Sequence, residues 1–169
     1  MNTTLKLAGK WEVVHRDKDG NELSREIIDN LVTNEGINYM LNAALHGGTA
    51  ISAWYIVPWS TNTAPAAGNT YATPGNTEAT GYDEATRQEW GEGAASSQSV
   101  TNATAATITA TGSLSIYGFG IVGGGSAATT KGDAAGGGTL LSSGLFAGVK
   151  TLSAAETLDM TYTLSGSSS

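Results

Sequence analysis

The first clear pattern along the chain is an alternation of period two. Trp11, Val13 and His15 interleave with Glu12, Val14 and Arg16, which places successive side chains on opposite faces of a strand. Asp17-Lys18-Asp19-Gly20-Asn21 follows with turn chemistry. Gly20 can take a positive φ, and the aspartates can accept from nearby amides. Leu23 to Ile28 returns, so residues 9–28 read as a β-hairpin. The period then changes. Ile37, Leu41, Ala44 and Leu45 recur at helical spacing and make one apolar stripe. Thr33 is placed to cap the helix, Glu35 suits its positive end, His46 lies in the last turn and Gly47-Gly48 stop it. The spacing predicts a helix over about 34–46, packed with Trp11 and the next strand as the core of the N-terminal half.

Ile51 to Trp59 reads as the strongest strand. Ile51, Ala53, Tyr55, Val57 and Trp59 share one face, with Ser52, Trp54, Ile56 and Pro58 on the other. Pro58 cannot donate to a ladder, so the strand ends there or lies at an edge. Large residues on both faces imply burial on two sides, or one face kept for a partner. Residues 60–81 show neither period and read as an extended loop, a length that is usually functional, disordered or tied to another chain. Tyr82 to Trp90 reads as a turn leading into a strand near 87–95. Thr- and Gly-rich strands follow around Val100, Ala103–Ala110, Ser113–Val122, Thr139–Phe146 and Thr157–Leu164, with Tyr117, Phe119 and Ile121 on one face. Short strands between glycine turns favour a sandwich or barrel over alternating α/β units. The expectation is one all-β domain over 1–169: an antiparallel β-sandwich with one short helix and a flexible tail at 165–169.

Composition sharpens this picture. Ala, Gly, Thr and Ser make up 86 of the 169 residues, and only 14% are charged. The small residues gather in the 60–81 loop and the C-terminal strands, which suggests thin strands that need neighbours. Net charge is −7, and after Arg87 only Lys131 and Lys150 are cationic, so no basic face is expected for nucleic acid. Trp54-Tyr55-Ile56-Val57 is far short of the ~20 residues of a membrane span. The N-terminal residues show no apolar signal segment, and with no cysteine there is neither disulfide nor thiolate chemistry.

Candidate chemistry is sparse. Gly118-Phe119-Gly120-Ile121-Val122-Gly123 has the spacing of a dinucleotide fingerprint but lacks a following helix and a βαβ context, so a glycine-bearing strand is the better reading. Asp17 to Asn21 resembles the start of a calcium loop. The sixth and twelfth positions, Glu22 and Ile28, lack the required glycine and bidentate glutamate. His15 and His46 are the only imidazoles, and nothing places them together. Glu78, Asp83, Glu84, Glu89 and Glu92 could in principle furnish two carboxylates for glycoside hydrolysis. A solvated acidic edge around Arg87 is preferred, with Arg87 paired to a neighbour in the chain or across an interface. Of Trp11, Trp54, Trp59 and Trp90, core packing accounts for one or two. A neighbouring subunit would account for Trp54 or Trp59. No catalytic, cofactor or metal residue is nominated, and no small-molecule substrate is expected.

Gly9-Lys10-Trp11-Glu12-Val13-Val14, the Asp17–Asn21 turn and Asn30-Leu31-Val32-Thr33-Asn34-Glu35-Gly36-Ile37-Asn38 together resemble small virion proteins of tailed bacteriophages. Tyr82-Asp83-Glu84-Ala85-Thr86-Arg87, Ser99-Val100-Thr101-Asn102, Gly138-Thr139-Leu140-Leu141 and Lys150-Thr151-Leu152 followed by Thr157–Leu164 extend the resemblance over nearly the full chain. One departure is Ala155-Glu156, where related proteins tend to have a Gly-Asp turn. The resemblance implies a β-sandwich structural component of the particle, often trimeric, and not an enzyme. The leading expectation is a capsid decoration or cement protein, bound to the major capsid protein on the virion surface and assembled in the bacterial cytoplasm. The runner-up is a tail or tail-fibre component, structural or receptor-binding, and a tail-associated glycan hydrolase comes third. In this reading the 60–81 loop and both termini are the arms that reach a partner.

Overall fold

A computed structural model describes residues 4–168. The elements are β1 (Leu5–Arg16), β2 (Glu22–Val32), α1 (Asn34–Leu45), β3 (Trp54–Trp59), β4 (Gln88–Glu89), β5 (Ser99–Thr101), β6 (Ala106–Thr109), β7 (Leu114–Gly123), β8 (Thr139–Leu152) and β9 (Thr157–Ser168). The described residues are mostly β, with one short helix. Every strand pairing is antiparallel. The strands follow one path, β4-β3-β7-β8-β2-β1-β9-β5, with β6 also on β9.

The path bends at β2. Its residues up to Asn30 pair with β1, whereas Leu31 and Val32 pair with Ser143 and Ser142 of β8. One strand thus serves two directions, and the sheet curls into a half-barrel. The 82–93 segment bridges the two ends of the curl. Trp90 N–H donates to Trp54 O at 2.7 Å, Asp83 N–H to Thr109 O at 2.8 Å and Gly93 N–H to Thr101 O at 2.9 Å. The strand expected near 87–95 is therefore reduced to β4; Gly91 at φ +52° turns the backbone out of the extended region.

The concave face holds the main core, centred on Trp11. Its ring lies 4.6 Å from Tyr162 and 5.3 Å from Phe119, centroid to centroid. Leu158, Met160, Ile116 and Ile121 complete the centre. Ile116 joins Phe119 and Ile121 there, while Tyr117 is only half-buried, contrary to the expected grouping of Tyr117, Phe119 and Ile121. The ladder with β8 breaks at this point: Ile116 pairs with Lys150 but Gly118 with Leu145, so the alternation does not carry across Tyr117 in one register.

The convex face of β3 and β7 carries a second cluster of Val57, Trp59, Tyr71, Val122 and Leu140. Tyr71 comes from the 60–81 loop. That loop folds back onto the body instead of projecting as an arm: Asn34 N–H donates to Ala67 O at 2.8 Å, and Ser60 N–H to Thr77 O at 2.8 Å. Both faces of β3 are thus buried by the chain itself. All four tryptophans are buried, so Trp54 and Trp59 do not serve as exposed interface anchors.

Two further expectations change. Residues 165–168 continue β9, paired with Leu5 to Ala8 of β1, instead of fraying; Ser169 lies outside the described residues. The helix has the expected Thr33 cap, with the Oγ1 accepting from Gly36 N–H at 3.0 Å. Its stripe does not face the core, because α1 is turned so that Gly36, Tyr39 and Met40 meet the sheet, with the Tyr39 ring edge-on to Trp54 at 5.2 Å. A Cβ at Gly36 would stand 2.8 Å from Leu141 Cα. That close approach leaves Leu41, Ala44 and Leu45 exposed.

Candidate interaction surface

The most elaborate polar constellation is centred on Arg87, which is 3% exposed. Its guanidinium forks onto Glu78: Nη2 donates to Oε2 at 2.7 Å and Nε to both carboxylate oxygens at 3.1 Å. Nη1 donates to Tyr71 Oη at 3.1 Å and to Ala128 O at 3.0 Å, and Nη2 also donates to Asp133 O at 2.7 Å. Tyr71 Oη donates to Asp133 Oδ2 at 2.7 Å. Burial opposes the charge on Arg87, but the Glu78 carboxylate more than offsets it and the pKa is raised. Burial, then the Asp133 contact, raises the Tyr71 phenol. A cavity of ≈ 260 Å³ lies beside this knot, lined in part by Trp59, Tyr71, Asn76 and Asp133. The knot ties the 60–81 loop to the glycine-rich 124–138 segment, and its donors are all engaged. Its arrangement does structural work, holding two low-complexity segments over Trp59. Arg87 therefore pairs within the chain.

The other acidic residues do not gather around a common centre. Glu84 accepts from Thr109 Oγ1 at 3.0 Å and Thr109 N–H at 3.1 Å. Asp83 and Glu89 are exposed, and Glu92 bridges to Asn102 through its backbone. His15 of β1 lies 3.0 Å from Glu156 of the β8–β9 turn, while His46 caps the helix C-terminus, so the imidazoles are not brought together. Among the described residues no group of three or more His, Asp or Glu is placed to hold a metal ion. Asp17 closes the β1–β2 turn, accepting from Asp19 N–H and Asn21 N–H at 2.9 and 2.8 Å. Its pKa is lowered, first by the Asn21 side chain.

The glycine motif 118–123 lies within β7, and its glycines make room for neighbours. A Cβ at Gly123 would come 2.7 Å from Trp54 Cε3, and one at Gly118 or Gly120 would collide with Gly144 O or the Trp59 indole.

Besides Leu5 and Val149, the exposed large apolar side chains among the described residues fall on β2 and α1. Leu23, Ile27 and Leu31 form the outward row of β2, with Ile27 61% exposed. Arg25 stands in the same row, held by Glu12 and by Glu22 at 2.8 Å. Leu41 and Leu45 stand out from α1, Leu45 being 80% exposed. The sequence pattern hides the first row, because the inward residues Ser24, Glu26 and Asn30 are more polar than the outward ones. Only the pairing of Trp11 with Ile28 settles which face is inside.

No helix among the described residues is long and apolar enough to cross a membrane. No known protein family matches the chain, and no curated protein is similar to it.

Proposed function

We propose that this is a structural protein of a tailed-bacteriophage particle, a decoration protein that binds the assembled head through the outward row of β2 and acts by binding, not catalysis. One observation carries the surface assignment: Leu23, Ile27 and Leu31 stand outward on a long strand whose inward face already packs on Trp11. Such a row on a rigid sheet is suited to burial against a neighbour. The resemblance described above supports the phage context and a homotrimeric state. We read the curled sheet as the two leaves of a sandwich, β1, β2, β5, β6 and β9 against β3, β4, β7 and β8. A protein that binds only the assembled shell stabilises it by mass action.

The test mixes the purified protein with expanded heads that lack it. Binding should saturate at a copy number set by capsid symmetry and raise the temperature of head disruption. The Leu23→Asp/Ile27→Asp variant should remain folded and lose this binding. Recovery with tails instead of heads would replace this reading with the tail assignment. Undiminished head binding by the folded double variant would reject the β2 row as the surface.

A further inference from the structure

The two ends of the described chain form a ribbon that overhangs the sheet. Leu5 to Ala8 pair with Ser165 to Ser168 of β9, but on the other side β1 meets β2 only from Gly9 onward, because Leu31 and Val32 have turned to β8. Leu5–Ala8 therefore has no strand partner on its β2 side among the described residues. This is an open edge next to a closed ladder. Its inward side continues the core as an apolar groove of ≈ 400 Å³ that includes Leu5, Leu7, Val100 and Leu164, with Leu5 66% exposed. Its outward side carries Lys6 and, beyond Ala8, Lys10. Neither has a carboxylate within the 4.0 Å of an ion pair among the described residues.

We propose that Leu5–Ala8 accepts an added antiparallel strand from a partner protein, one that alternates apolar with acidic side chains. The backbone edge supplies the hydrogen bonds, as in other cases of β-strand addition, and alternate side chains supply the selectivity. The neighbouring rungs already show the pattern: Lys10 stands opposite Asp29, and Trp11 opposite Ile28. An incoming strand that prolongs the line of β2 sets apolar groups beside Leu5 and Leu7 and carboxylates beside Lys6. A second copy of this edge is the poorer occupant, since two such edges would place like charges on one short ladder, and lysine on an edge strand blunts self-pairing. In a particle the strand would belong to the shell subunit. The proposal takes only that source from the function given above.

The test uses two synthetic octapeptides, one alternating valine with aspartate and one alternating valine with lysine, at low salt. Residue-resolved amide exchange is read by NMR on the full chain. The aspartate peptide should slow exchange of the Leu5–Ala8 amides that point away from β9, and the lysine peptide should not. Lys6→Glu should weaken the aspartate peptide about fivefold. Equal protection by both peptides, or none from either, overturns the proposal. Protection without peptide that grows with protein concentration assigns the edge to a second copy and also overturns it. No heads are present, so these outcomes are independent of whether the protein decorates a capsid.

Discussion

The Trp59 indole occupies the space that a side chain at Gly120 would need. Trp59 lies on β3 and Gly120 on β7; Trp59 pairs with Gly118, and Val57 with Gly120. Across the sheet the indole Nε1 donates to Ser143 Oγ at 3.1 Å. A cross-strand aromatic thus covers a glycine and compensates for its missing side chain. Gly120→Ala should destabilise the protein by about 1–3 kcal/mol through overpacking. The cost should shrink in a Trp59→Leu background, because the clashing ring is gone. A double-mutant cycle by urea unfolding measures this coupling, and strictly additive effects would contradict it.

Arg87 and Glu78 form a buried ion pair, with side chains 3% and 5% exposed. Arg87→Ala leaves the Glu78 charge buried without its fork and should cost about 3–5 kcal/mol. Arg87→Lys should also destabilise, since one ammonium cannot reproduce the planar set of donors. Limited proteolysis should then cut first within 60–81 or 124–138, the segments that the knot joins. Unchanged cleavage sites and rates in a destabilised variant would contradict the tie.

Ala155 has φ +66°, in the left-handed region that favours glycine. It belongs to the β8–β9 turn, where Ser153 N–H donates to Glu156 Oε2 at 2.9 Å. Ala155→Gly relieves the Cβ strain but adds freedom to the unfolded chain. The net gain should be about 0.5–1 kcal/mol, read as a higher melting temperature. A lower melting temperature would show that the turn carries no such strain.

Acid should weaken the fold through its depressed carboxylates. The Tyr71 hydroxyl, then the Gly136 amide, lowers Asp133; the Ser153 amide, then His15, lowers Glu156. Groups with a folded pKa below the unfolded one contribute stability that is present above the unfolded value and lost as pH falls through the folded one. Melting temperature should therefore decline as pH drops past the ordinary values of 4.5 and 3.8. Asp133→Asn should flatten part of that decline. A melting temperature independent of pH down to 3 would contradict this account.

The order of local elements was largely legible in the sequence, because it follows from short-range chemistry. The β1–β2 hairpin rests on alternation and on the Asp17–Asn21 turn, and α1 rests on the Thr33 cap. The small-residue composition likewise foreshadowed thin strands that need cover. What tertiary structure decided was which partner each face would meet. The outward row of Leu23, Ile27 and Leu31, the exposed Leu41 and Leu45, and the burial of Trp54 and Trp59 each depend on where a distant segment packs. Gly36 on Leu141 aims the helix, and Arg87 draws two segments without periodicity over β3. Periodicity reports that a face exists. Burial of that face depends on contacts between residues far apart in the chain, and those appear only once the sheet has curled.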